Sequence, residues 1–278
     1  MIFGDYDVDK KVISGFGDEW NRFDQSVLSE DERQRMFDQY FSIFPWDEIE
    51  NDAVGFDMGC GSGRWAKSVA PHVGKLYCID PSSAINVAKK NLESFENCVF
   101  LNESVFSLSI KSRSMDFGYS LGVLHHIPDT KTALENCVDR LKSGAPFLLY
   151  LYYSFDNRPL WYRFIWKVSE MFRYVVSRFP YSVRFAISQI FAAVVYYPIS
   201  KFSLLLEKAG LSVHHMPLSG YRKSSFYTMR TDALDRFGTR LEKRYTKVQI
   251  KKLMEDAGLT EIIFSKYAPY WCALGRKK

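Results

Sequence analysis

Three glycines alternate in Asp57-Met-Gly59-Cys-Gly61-Ser-Gly63, and a second carboxylate, Asp80, follows 21 residues after Gly59. Without a Cβ, glycine lets a turn pass close under a bound molecule and aims the free N–H groups of the following helix at it. A carboxylate about 20 residues further on is well placed to accept hydrogen bonds from ribose hydroxyls. The pair predicts a site for an adenosine-containing ligand; the bland alternative, a glycine turn that only connects two elements, does not account for Asp80. A second set of groups is the dipeptide His125-His126. Its imidazoles, with an ordinary pKa of about 6.5, suit proton abstraction near neutrality, and they suit packing equally well. His214-His215 offers a further imidazole, His215, for the same task. No His, Cys, Asp or Glu cluster has metal-ligand spacing, so no metal is expected.

The elements that must hold these groups alternate between strand and helix. Ala53-Val-Gly-Phe-Asp57 is an apolar run that feeds the glycine turn, and Arg64 to Ala70 is helical in pattern. Lys75 to Ile79 is a second strand ending at Asp80, and Pro81-Ser82-Ser83 opens a helix to Leu92. Cys98 to Leu101, Met115 to Ser120 and Pro146 to Tyr153 complete five strands, with a helix from Asp129 to Leu141 before the last. Such alternation implies a parallel sheet with helices on both faces. Near the C-terminus a helix from Lys247 to Ala257 precedes strands at Thr260–Tyr267 and Tyr270–Leu274, separated only by Ala268-Pro269, so this pair must be antiparallel.

At 278 residues, 47% apolar and 16% aromatic, the chain belongs with folded globular proteins rather than disordered or fibrous ones. Its five cysteines lie far apart with no CxxC pair, which argues against a disulfide framework and for a reducing compartment. The N-terminus lacks the basic start and apolar stretch of a secretory signal. The longest apolar run, Phe185 to Ile199, is interrupted and shorter than a bilayer span, so a cytoplasmic protein without a transmembrane helix is expected. Charge is unevenly distributed: 14 acidic and 5 basic residues lie in the first 52, whereas 154–246 holds 15 Lys/Arg, 6 Asp/Glu and 19 aromatics. Four parts are expected: an N-terminal helical cover (1–52), a ligand-binding core (53–153), a helical substrate or lid insert (154–246), and the C-terminal part of the core fold (247–278).

The runs Phe56-Asp-Met-Gly-Cys-Gly-Ser-Gly-Arg64, Cys78-Ile-Asp-Pro-Ser82 and Met115 to Asp129, in that order, resemble the class I S-adenosylmethionine-dependent methyltransferases. The resemblance covers about Val54 to Tyr153 plus the closing hairpin. It implies a Rossmann-like seven-stranded α/β sheet with the last strand antiparallel, and S-adenosylmethionine as cofactor with S-adenosylhomocysteine as product. By resemblance, Asp57, Gly59, Cys60, Gly61 and Gly63 border the methionine part of the cofactor, and Asp80, Pro81 and Ser82 its ribose. Ser104 and Val105 fall at the adenine edge, with serine standing where the family often has an acid. Leu121 and Val123 follow the fourth strand. Arg64, with Trp20 and Arg22 from the N-terminal segment, is a candidate for the cofactor's carboxylate and for a cover over it. His126 or His125 would serve as general base if the acceptor is a hydroxyl, and would line the cofactor if it is not.

The insert carries the question of the acceptor. Leu160, Trp161, Phe164, Ile165, Val168, Met171 and Phe172 recur at helical spacing beside Arg163, Lys167 and Arg173, a pattern of core helix, lid or basic amphipathic surface. Pro180 is expected to end this helix and Pro198 the next, with Ser200 capping a third. Tyr152, Tyr221, Arg222, Tyr227, Arg230, Asp232 and Arg236 are candidate substrate contacts; the competing reading is an internally paired connection. The expectation is O-methylation of a small polar acceptor such as a sugar or glycan intermediate. N-methylation, a lipid-like acceptor at a membrane surface with peripheral attachment, and an inactive cofactor-binding protein are the alternatives. Nucleic acid is disfavoured, since the basic residues are spread along amphipathic helices and no RNA-binding module is recognisable.

Overall fold

A computed structural model describes residues 10–278; the N-terminal stretch read above for a secretory signal lies mostly outside them. In chain order the helices are α1 (Lys10–Arg22), α2 (Glu30–Tyr40), α3 (Ala66–Val69), α4 (Ala84–Asn91), α5 (Thr130–Arg140), α6 (Leu160–Val176), α7 (Tyr181–Phe191), α8 (Tyr197–Lys208), α9 (Phe226–Gly238) and α10 (Lys247–Asp256). The strands are β1 (Val54–Met58), β2 (Lys75–Ile79), β3 (Cys98–Leu101), β4 (Phe117–Leu121), β5 (Pro146–Tyr150), β6 (Leu259–Phe264) and β7 (Ala273–Lys277). The strands form one seven-stranded sheet in the order β3-β2-β1-β4-β5-β7-β6, parallel through β5 and antiparallel at β7. This is the α/β sheet with a reversed last strand that the motifs imply.

Strands β1 and β4 run through the middle of the sheet, and their apolar residues, Phe56, Phe117 and Tyr119 among them, are fully buried because both faces are covered. One face is closed by α5 and α10, whose Leu134, Val138, Ile250 and Met254 meet Phe56 and Phe147. The helix expected from Arg64 to Ala70 is only the four residues of α3, followed by a single tight turn. Aromatic side chains from the N-terminal part fill the opposite face. Phe41 meets the Tyr119 ring at 5.2 Å and Phe44 the Phe117 ring at 6.0 Å. The segment read as a separate cover therefore supplies a layer of the sheet's own core.

The closing strands also differ from expectation. β7 begins at Ala273 rather than Tyr270, because Ser265 holds a wider turn: its N–H donates to the Cys272 carbonyl (2.8 Å) and its hydroxyl contacts the Tyr267 and Pro269 carbonyls.

The chain divides into two compact units. Of the described residues, the sheet unit comprises 10–26, 33–154 and 241–278, and the helical unit comprises 27–32 and 155–240. The insert is thus shorter than the 154–246 expected. Residues 241–246 return to the sheet unit: the Lys243 N–H donates to the His125 carbonyl (3.1 Å) and the Tyr245 N–H to the Tyr152 carbonyl (2.9 Å). All five cysteines are free and buried.

Within the helical unit, Val176, Ala192, Tyr196, Met229, Ala233 and Phe237 form a small core. Helix α9, which lies in the stretch read as either substrate contacts or an internally paired connection, is capped by the Ser225 hydroxyl accepting from the Thr228 N–H. Pro198 does not end a helix. Five residues of π-helix, Ala192–Tyr196, join α7 to α8, so that Tyr181–Lys208 runs as 28 helical residues. A proline at the start of α8 lacks the N–H that would bond one turn back, and the wider π turn accommodates it. Ser200 is not a cap; it is fully buried with its hydroxyl on the Tyr197 carbonyl (3.0 Å).

Candidate active site

The carboxyl ends of β1, β2 and β4 meet at the glycine turn, where ligands of open α/β sheets bind. Gly59 and Cys60 donate their N–H groups to the Ile79 carbonyl at 2.8 and 3.0 Å, so the turn folds back onto the end of β2. Gly59 has φ +78°, and a Cβ there would lie 2.4 Å from the methyls of Val123, which follows β4. Any side chain at this position would have to displace Val123 as well as strain the backbone. Asn91 holds the turn from beneath, donating to the Ser62 carbonyl at 2.9 Å.

Asp80 is buried and organised by its neighbours. Gly61 N–H donates to Oδ2 (3.0 Å), and Ser82 donates to Oδ1 through its N–H (2.8 Å) and hydroxyl (2.6 Å). Burial pushes the carboxyl above its ordinary value, and the Ser82 and Gly61 bonds oppose that shift. Asn102 donates to the carbonyls of Asp80 and Ser82, and fixes the loop.

Asp57 differs. It is buried between neighbouring strands, in register with Cys78 and Tyr119, and neither of its oxygens nor the Tyr119 hydroxyl has a hydrogen-bond partner of good geometry. Burial holds its carboxyl well above the usual range; the Tyr119 phenol eases that shift and the charge of Asp80 adds to it.

Helix α1 lies along this edge. At Gly17 a Cβ would approach the Ser83 hydroxyl to 2.6 Å, and the Asn21 side chain donates to that hydroxyl at 2.9 Å. Trp20 lies over Gly61, whose added Cβ would be 3.0 Å from the indole. The Arg64 guanidinium lies 5.8 Å from the Trp20 ring and 4.3 Å from Trp65, with its Nε buried and unpartnered. Phe16 reaches His126, ring to ring at 4.9 Å. Trp20, Gly61 and Arg64 are therefore together, whereas Arg22 is exposed at the last turn of α1.

Both histidines occupy a tight turn after β4 and are buried. His126 Nδ1 is 2.7 Å from the Leu241 carbonyl. A carbonyl can only accept, so Nδ1 carries the proton and Nε2 is the basic nitrogen. His125 stacks on Tyr152 at 3.9 Å, both its ring nitrogens are without partners, and burial, then His126 and Arg244, push its pKa well down. It is a neutral wall. Arg244, paired with Glu242 at 2.7 Å, lies 5.1 Å from the Tyr152 ring.

The remaining sequence candidates fall as follows. Leu121 is buried and Val123 half-buried beside Gly59; Cys60 is buried with its thiol pushed up to about 11, and Pro81 is exposed. The Ser104 hydroxyl accepts from the Phe106 N–H (3.3 Å), and the Val105 carbonyl accepts from Asn136. Of the substrate candidates, Tyr152 joins the histidines. Tyr221, Arg222, Tyr227, Arg230, Asp232 and Arg236 belong to the helical unit, as does exposed His215. There Arg222 pairs with Glu207, Arg230 with Gln189 and Arg236 with Glu170. Asn91, Asn102, Tyr119, Leu241 and Arg244 were not legible as site residues, because each reaches the turn or the histidines from a separate element.

A buried carboxylate at the end of β1 decides between ligands. A dinucleotide's pyrophosphate calls for a helix N-terminus over the glycine turn; here α3 is four residues long and Asp57, once ionised, would repel the phosphates. A cationic sulfonium and ammonium group fits Asp57, a carboxylate beside them fits the unpartnered Arg64 Nε, and a ribose beyond fits Asp80. The fold and this site are similar to those of class I S-adenosylmethionine-dependent methyltransferases. Residues 56–149 match the family described as "Methyltransferase domain".

The chain is 29% identical over 104 residues to the ubiquinone biosynthesis O-methyltransferase of Coxiella burnetii, a match covering 37% of this chain and 43% of that protein. The match thus spans under half of the relative's length. An O-methyltransferase family protein from Burkholderia thailandensis superposes with a TM-score of 0.52 at 13% identity, covering 94% of this chain and 68% of that one, and shares the fold.

Replacing Asp80 by Ala removes charged hydrogen-bond acceptors worth on the order of 1.5 to 3 kcal/mol. Calorimetric titration is expected to show S-adenosylmethionine affinity reduced about tenfold to a hundredfold. Unchanged affinity would place the ribose elsewhere.

Proposed function

We propose that the protein transfers a methyl group from S-adenosylmethionine to a hydroxyl oxygen. The observation that carries this reading is the His126 tautomer: with Nδ1 tied to the Leu241 carbonyl, Nε2 is the nitrogen able to take a hydroxyl proton. An acceptor that arrives as a neutral amine or as a preformed carbanion would not require a fixed base. Bound S-adenosylmethionine supplies an electrophilic methyl on a positively charged sulfur. The chain's share of the work is alignment and exclusion of water. Asp80 orients a ribose, Asp57 offers a negative charge, and Trp20 with Phe16 covers the turn and the base. The name of the Coxiella burnetii relative supports oxygen as the acceptor atom.

For the acceptor itself, the aromatic wall of Phe16, His125 and Tyr152 supports a flat molecule bearing a hydroxyl. The sugar-type reading keeps Tyr152 as a contact, but it draws less from Arg222, Arg230 and Arg236, which already have partners in the helical unit.

The test is calorimetry with S-adenosylmethionine, S-adenosylhomocysteine and NAD, followed by incubation with isotopically methyl-labelled cofactor and a panel of phenols, sugars, amines and lipid extracts. Binding of both methionine-derived ligands and a labelled methyl ether are expected. NAD binding alone overturns the cofactor assignment; a labelled N- or C-methyl product overturns the oxygen assignment.

A further inference from the structure

The helices α6, α7 and α8 are built inside out for a water-facing unit. Their buried positions include small polar residues: Ser177, which caps α6, Ser188, Ser200 and Ser203 are all fully buried. Each hydroxyl is satisfied locally by a carbonyl three or four residues back, at 3.4, 2.8, 3.0 and 3.0 Å respectively. Val176 and Tyr196 are buried with them, but many of the large apolar side chains face outward. Leu160, Phe164 and Met171 on α6 are 78%, 68% and 73% exposed, and Val194 in the π turn with Phe202 and Leu205 beyond it continue the pattern at 63%, 53% and 63%. Small residues inside and bulky apolar residues outside is how helices pack when their surroundings are hydrocarbon. An exposed apolar patch on this scale marks an interaction surface.

Charge identifies the occupant. Leu160 to Lys208 contains seven Lys/Arg and two acids. Both acids are neutralised within the unit, Glu170 by Arg173 and Arg236, and Glu207 by Arg222 and Lys223. Arg163, Lys167, Arg178 and Lys208 are exposed among the apolar side chains, so the surface offers cations with no free anion. That combination complements an anionic lipid headgroup layer above hydrocarbon.

The helical stretch Tyr181–Lys208 is long and apolar enough, by length and composition, to cross a membrane. Its inner side argues for lying flat. Midway along, Gln189 pairs with Arg230, and Arg184 donates to the Gly238 carbonyl, so α9 places polar partners along one flank of the helix. A helix with one charged flank and one apolar flank settles in the plane of the interface.

We propose that the outward faces of α6, α7 and α8 seat the helical unit on the anionic leaflet of a bilayer. This inference stands apart from methyl transfer, because its readout is binding. The full-length protein is mixed with vesicles of phosphatidylcholine alone or with added phosphatidylserine, and the vesicles are floated through a density gradient. Flotation with the anionic vesicles, weaker with the neutral ones and reduced by added salt, is expected. A Phe164→Ser, Met171→Ser, Phe202→Ser variant, altered only at exposed positions, is expected to bind at least tenfold more weakly. Its circular dichroism and S-adenosylmethionine affinity should match the parent. Arg163→Glu with Lys167→Glu is expected to lower binding to anionic vesicles by about tenfold or more while leaving binding to neutral vesicles little changed. Absence of flotation with either vesicle overturns the proposal. So does self-association that the serine variant abolishes without any vesicle binding, since the face would then join copies of this chain. Material that withstands an alkaline carbonate wash and leaves the membrane only with detergent would make the helix a spanning one, and also overturns it.

Discussion

His126→Asn is expected to reduce kcat by about a hundredfold to ten-thousandfold, the usual contribution of a positioned general base. Asparagine places its amide nitrogen near the position of Nδ1, so the bond to the Leu241 carbonyl at 2.7 Å in the parent can persist. It has nothing at the position of Nε2. Loss of rate with S-adenosylmethionine affinity held within a few-fold would separate proton abstraction from cofactor binding. His126→Gln makes the reciprocal test: it restores a polar atom nearer Nε2 without restoring basicity, and should be as slow. A His126→Asn enzyme within threefold of the parent in kcat would show that no side-chain base acts here, and would move the acceptor away from a hydroxyl. His125 gives the contrast. It is also buried, and burial together with the neighbouring His126 and Arg244 pushes its pKa well down, which opposes its taking up a proton.

The second large effect concerns Asp57, where function and stability should move in opposite directions. Its carboxyl is held above the ordinary value of about 3.9 by burial, so the protonated form favours the folded state. Stability from this group is therefore complete below the ordinary carboxylate range and is lost as pH rises through the raised, folded-state pKa. Asp57→Asn removes that titration. At neutral pH the unliganded variant is expected to be more stable by about 1 to 3 kcal/mol, the scale of an unsatisfied buried polar group. That corresponds to a Tm higher by several degrees, with the advantage shrinking on acidification. The same change removes a negative charge beside the cationic end of the cofactor. Affinity for S-adenosylmethionine should fall at least tenfold, and affinity for S-adenosylhomocysteine, whose sulfur is neutral, should fall less. A lower Tm for Asp57→Asn at neutral pH would mean that the carboxylate is paired in the folded protein, and would remove the argument against a pyrophosphate ligand.

Glycine spacing and the position of Asp80 made the cofactor end of the site legible, because both are short-range requirements: a turn with positive φ at Gly59, Gly61 and Gly63 and a carboxylate at the end of the next strand. Parallel pairing and the reversed last strand were implied by alternation and by the family resemblance; the strand order came from the folded sheet. The helix after the glycine turn was misjudged in length. Its pattern, Arg64 to Ala70, is apolar at helical spacing, but those side chains serve a face of the sheet shared with Phe37, Phe41 and Phe44, so packing rather than propensity determined where the helix stops. Pro198 was misread for a related reason, since a π turn can absorb a proline and no local signal announces one.

Local chemistry, then, was sufficient for a glycine turn, two carboxylates, two histidines and an α/β alternation, since each depends on residues within one or two turns of chain. What needed the folded chain was which nitrogen of His126 is basic, because Leu241 arrives from 115 residues away, and which side of the α6–α8 helices faces out. The amphipathic pattern from Leu160 to Phe179 is the same for a helix that buries its large residues and for one that exposes them. Only the burial of Arg173 and Ser177 against the exposure of Leu160, Phe164 and Met171 distinguishes the two, because inward and outward are relations among helices and have no trace in the periodicity of one.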